Sequence, residues 1–120
     1  MSTDEQPPKQ GGSVPNAYGN ALAWHWAPAM PAPLKRAGLL TLLYALRTMA
    51  GADGKLKFRD GKAIRIQDIA AAAGKDEKDA RRFLDAAIAA GVVAVVGEAR
   101  RGRPSLYVLL ISPFPDWGAA

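Results

Sequence analysis

Cations are the side chains through which this chain is equipped to act. Residues 75–82 (KDEKDARR) bring Lys75, Lys78, Arg81 and Arg82 together, and residues 100–104 (RRGRP) set Arg100, Arg101 and Arg103 around Gly102. A guanidinium is a planar fork of donors that fits a phosphate or the two acceptors on a guanine edge, whereas an ammonium is a compact charge for phosphate. For the first cluster both roles, reading a base and clamping a phosphate, are open. Asp76, Glu77 and Asp79 dilute it, which suits a surface that selects through a few contacts. The three arginines of the second cluster repel one another, and Glu98 is their nearest carboxylate in sequence.

Other chemistries lack their parts. The chain has no cysteine, which removes disulfides, thiolate nucleophiles and Cys-based zinc sites together and fits a cytoplasmic protein. His25 is the single histidine, so a His-based metal site within one chain and a Ser-His-Asp set both fall away. GADGK (residues 51–55) lacks the spacing of a phosphate-binding loop, and the carboxylates form no pattern that nominates an acid/base pair. The expectation is a protein that is not an enzyme and carries no metal and no cofactor. Trp24 and Trp26 are expected to be anchors rather than base-stacking platforms.

The charge is concentrated in the middle of the chain. Net charge is +5 and the sequence pI about 9.8. Residues 34–61 hold six basic and two acidic groups, net +4, and residues 62–104 hold nine and six, net +3. Residues 1–33 are net −1, so the basicity belongs to the part expected to fold. Such a balance suits a polyanionic partner. No apolar run approaches the roughly 20 residues that span a bilayer, and the polar start lacks a signal pattern, so no membrane role is expected.

The elements that must position these cations follow from periodicity. Leu39, Leu42, Leu43, Leu46 and Met49 recur at helical spacing, predicting a helix over 34–49 with Pro33 in its first turn and Gly51 at its end. Residues 55–61 are a short extended piece or loop, and Ile64 and Ile66 alternate with polar neighbours as a short strand. Residues 68–73 (DIAAAA) form a stubby helix ended by Gly74, and Asp76 caps a second helix whose apolar series is Ala80, Phe83, Leu84, Ala87 and Ile88. Gly91 ends that helix. Strands over 92–96 and 106–111 flank a turn-forming loop and pair antiparallel. Residues 1–16 read as disordered. Residues 17–33 read as an extended arm, because Pro28, Pro31 and Pro33 oppose a regular helix. One α+β domain over 34–112, with a tail over 113–120, is the expected organisation.

This order of elements over about residues 34–111 resembles the winged helix-turn-helix of bacterial transcriptional regulators: a three-helix core, a short strand before the second helix, and a C-terminal β-hairpin wing. The segment KDEKDARRFLDAAIAAGVV is similar to its recognition helix, and Arg101-Gly102-Arg103-Pro104 resembles the core of an AT-hook. The resemblance implies double-stranded DNA as partner, with Lys75, Lys78, Arg81 and Arg82 facing the major groove. Arg100, Arg101, Gly102 and Arg103 then serve the minor groove, where narrow A·T tracts reward inserted arginine. It further implies sequence-specific transcriptional regulation by a homodimer, expected to be cytoplasmic and nucleoid-associated. The Trp-containing arm is the surface expected to form the dimer, and 120 residues leave no room for a separate domain that binds a small-molecule effector. A plasmid or phage replication or partition accessory factor fits the same residues. A winged-helix module that binds another protein is the alternative from a different class.

Overall fold

The computed structural model describes residues 13–97 and 106–120, and its architecture is α+β. Helices α1 (Val14–Ala21), a π-helical turn (Leu22–Trp26), α2 (Ala27–Ala29), α3 (Ala32–Ala37), α4 (Leu39–Met49), α5 (Ile66–Ala73) and α6 (Glu77–Ala90) precede an antiparallel pair, β1 (Val93–Val96) and β2 (Leu106–Leu109). Among these elements α4 packs against α1, α3, α5 and α6, so its apolar residues Leu39, Leu42, Leu43 and Leu46 form the centre of the core. No polar or charged residue is buried among the described residues. No described helix is long and apolar enough to cross a membrane.

Residues 17–33 are helical except at Met30 and Pro31, not an extended arm. Ser13 caps α1 by accepting the Asn16 N–H at 3.2 Å, and Pro15 falls in the first turn, where its missing N–H costs nothing. Tyr18, Leu22, Trp26 and Met30 then recur every four residues, and all are buried. In a pure α-helix a four-residue repeat drifts around the axis by about 40° per step. The wider π turn, closed by the Ala27 N–H to the Leu22 carbonyl, takes up that drift and keeps the stripe on one side. Pro28 enters at the junction after it, Pro31 caps α3, and Pro33 lies in the first turn of α3. The prolines therefore punctuate a series of short helices where one regular helix would have been impossible.

Long-range bonds bind this N-terminal layer to the opposite end of the chain. The Tyr18 hydroxyl donates to the Val92 carbonyl at 2.9 Å, and the Trp26 indole N–H donates to the Ser112 carbonyl at 3.0 Å. Trp26 meets Tyr18 edge-on at 4.8 Å and Trp117 at 6.3 Å, and the Asp116 N–H donates to the Ala90 carbonyl at 2.9 Å. Residues 113–120, expected as a tail, are docked by these contacts.

Two further expectations change. The helix expected over 34–49 is broken at Gly38, whose φ of 112° ends α3 and turns the chain into α4. The expected strand over Ile64–Ile66 is instead the approach to α5. Ile66 is already helical, and Asp68 accepts the Arg65 N–H at 3.0 Å. The pairing lies earlier: Lys57 bridges Ala63, and Lys55 bridges Val108, so residues 54–57 run antiparallel along the free edge of β2. The Leu56 N–H to Tyr107 and Leu109 N–H to Gly54 bonds, 2.9 and 2.8 Å, hold that edge.

Candidate nucleic-acid interface

The α5–turn–α6 unit is built as its residues dictate. Gly74 takes φ 67° to end α5, and the Lys75 N–H returns to the Ala70 carbonyl at 2.9 Å. Asp76 caps α6 by accepting the Asp79 N–H at 2.8 Å, and Gly91 ends it with φ 88°. The inner face buries Ala80, Phe83, Leu84, Ala87 and Ala90 against the core, while Ile88 is half-buried. With one face so held, Glu77, Lys78, Arg81, Arg82 and Asp85 are left exposed on the other.

The four cations expected to act from this helix separate into two kinds. Lys75 is half-buried; its ammonium donates to the Ala37 carbonyl at 3.4 Å and stands 5.0 Å from the Phe83 ring centroid. It neutralises the exposed carbonyl end of α3 and ties that helix to α6. The Lys75 ammonium occupies the space beside Gly38, whose φ of 112° is what calls for glycine at the turn. Arg82 is exposed but paired with Asp79 at 3.3 Å and lies 5.2 Å from the same Phe83 ring. Lys78 and Arg81 make no ion pair or side-chain hydrogen bond among the described residues. Of the four, these two are the most available to a ligand.

Lys35 and Arg36 were not nominated from sequence. Both are exposed in the last turn of α3, beside the Ala37 carbonyl that holds Lys75, so they border the start of α6. Their signal was present, a basic pair just ahead of a glycine, but only the Lys75 contact brings it to this site. Arg100, Arg101, Gly102 and Arg103 lie outside the described residues. What is described is the ribbon that carries them: Val93 pairs with Leu109 and Val96 with Leu106, so the 98–105 connection leaves from the Val96–Leu106 end.

The tryptophans are not equivalent. Trp26 is 1% exposed and belongs to its own chain's core, which removes it from any dimer surface; Trp24 is 75% exposed. His25 is exposed between them, and no group of potential metal ligands occurs among the described residues. Asn16, Gly19, Asn20, Ala23, Tyr44 and Arg47 line a shallow groove of about 460 Å³ between α1 and α4. Arg47 is already committed there, donating from Nε to the Pro15 carbonyl at 2.8 Å across Gly19.

Among protein-family models, curated proteins and solved structures, none matches this chain.

Proposed function

We propose that this protein is a sequence-specific binder of double-stranded DNA with a winged helix-turn-helix architecture, acting in transcriptional regulation. The observation that carries the reading is the outer face of α6, where Lys78 and Arg81 are exposed and unpaired among the described residues while the inner face is fixed in the core. A helix enters a major groove only when it is held from behind and offers donors in front. In this reading Lys78 and Arg81 contact the groove, Arg82 contributes once its bond to Asp79 is exchanged, and Lys75 positions the helix rather than touching DNA. Lys35 and Arg36 meet the flanking phosphates. Arg100, Arg101 and Arg103 reach the neighbouring minor groove from the wing. A homodimer would place two such helices on half-sites about one helical turn apart. Trp24, the most exposed tryptophan, is the residue of the N-terminal layer that remains available for that contact.

The test is selection of bound fragments from random duplex DNA at stated salt, followed by anisotropy titration of the selected site. Binding that weakens steeply with salt and a footprint with two-fold symmetry are expected. Arg81→Ala should cost about 1–3 kcal/mol on the selected site and less on random duplex if Arg81 reads a base. Equal loss on both makes it a phosphate clamp. Failure of the full chain to retard any duplex at low salt rejects the reading.

A further inference from the structure

A cationic finger leaves the sheet at the Val96–Leu106 end of the described hairpin. Residues 57–63 form a tight β-finger: Lys57 bridges Ala63, the Phe58 N–H donates to the Lys62 carbonyl at 2.8 Å, and the Gly61 N–H donates to the Phe58 carbonyl at 2.9 Å. Gly61 holds φ 87°, and Asp60 closes the tip by accepting the Lys62 N–H at 3.0 Å. Leu56, fully buried, and the Ile64 N–H to the Leu56 carbonyl at 3.0 Å root the finger in the core. Its direction follows from register. Residues 54–57 run antiparallel to β2, so past Lys57 the chain continues toward the Leu106 end, where the 98–105 connection also departs.

The finger's side chains are cationic on an apolar stem. Lys57, Arg59 and Lys62 are all exposed, and the Lys62 side chain is 82% exposed. The single acid, Asp60, stands 4.0 Å from the Lys62 ammonium and is spent largely on the turn. Phe58 sits among these cations with 45% of its surface in water. The turn itself needs none of this, and three like charges beside an exposed ring on seven residues match a polyanion with apolar edges.

Resting on the DNA-binding reading, we infer that this finger is a second DNA contact, in which Lys57, Arg59 and Lys62 bind phosphates flanking the site while Phe58 lies against the exposed sugar and base edges. The finger contributes affinity and salt dependence, and α6 contributes sequence choice.

The experiment uses the full chain and a labelled duplex extending at least one helical turn beyond the selected site. Triple Lys57→Gln/Arg59→Gln/Lys62→Gln should lower the slope of log affinity against log salt by about 1–3, since each phosphate contact contributes about 0.9. The ratio of selected-site to random-duplex affinity should stay unchanged. Phe58→Ser should weaken binding several-fold at constant slope, because it removes an apolar contact and no charge. Unchanged melting of both variants shows that the fold survives, as expected for exposed side chains. A wild-type slope in the triple variant overturns the inference, while binding by α6 stands. If the wild-type chain binds no duplex, both readings fall together.

Discussion

Between Val14 and Ala29 the side chains that matter are neutral, point inward, and reach far along the chain. Between Glu77 and Ala90 the conspicuous ones are charged, point outward, and mostly reach only their own helix. Tyr18 and Trp26 bond to Val92 and Ser112, more than 70 positions away, whereas Arg82 finds Asp79 three positions back. The first region fixes where the β-ribbon and the C-terminal segment sit. The second is carried by that frame and keeps its charges near water, where a ligand can exchange them cheaply. Lys75 alone crosses over, a cation of the α6 surface used as a structural tie to α3.

That division is broken most severely at Trp26. Trp26→Ala removes a fully packed indole, its edge contacts to Tyr18 and Trp117, and its bond to Ser112, and should destabilise the fold by about 3–5 kcal/mol in urea titration. If the chain binds DNA as proposed, the folded fraction should keep its affinity, since the ring and hydrogen-bond contacts of Trp26 run to Tyr18, Trp117 and Ser112. A cost below about 1 kcal/mol would mean that the N-terminal layer is an appendage, as its prolines first imply.

Much of the α6 region was legible because local rules decide it. Gly74, Asp76 and Gly91 each do at the chain level what a turn or cap requires, and the apolar series from Ala80 onward buries one face. The N-terminal layer was not legible, because its outcome depends on a π turn that the sequence marks by a four-residue repeat and not by a 3.6-residue one. The Ile64–Ile66 alternation was real but ambiguous: both residues are buried and Arg65 is exposed, yet the second isoleucine begins a helix. The helix expected over 34–49 runs through Gly38, although a glycine behind the Lys35-Arg36 pair is a local mark of a helix end. The bond from Lys75 to the Ala37 carbonyl spans 38 positions, so no local pattern marks it. Tertiary contact, not propensity, decided the other cases.

A smaller effect sharpens the inward-facing half of the comparison. Burial pushes the Tyr18 hydroxyl above its ordinary value of 10.0, so the folded state holds it neutral after the unfolded chain begins to ionise. With the folded pKa raised, this contribution is complete below about pH 10 and is lost as pH climbs above it, at up to about 1.4 kcal/mol per unit. Tyr18→Phe should cost about 1 kcal/mol at neutral pH, since the Val92 carbonyl still accepts the Leu110 N–H at 3.0 Å. The variant should also flatten the alkaline limb of stability against pH. An alkaline limb identical to wild type would show that the hydroxyl is not held away from water.

The smallest expected change in stability falls on the outward-facing half. Asp79→Asn keeps the backbone N–H that Asp76 accepts but removes the carboxylate that holds Arg82, an ion pair whose side chains are 70% and 47% exposed. Exposed pairs contribute about 0–1 kcal/mol, and one acid fewer in the first turn weakens the favourable interaction with the helix dipole by a similar amount. The melting transition should therefore move little. On the DNA-binding reading, affinity should rise by on the order of 1 kcal/mol or about five-fold, because Arg82 no longer has to give up its bond to Asp79. Weaker binding would reverse the interpretation of this face, because it would mean that Asp79 aims Arg82 at a base edge. The charged surface would then be a positioned network like the one behind it, and the contrast between the two regions would be one of polarity alone.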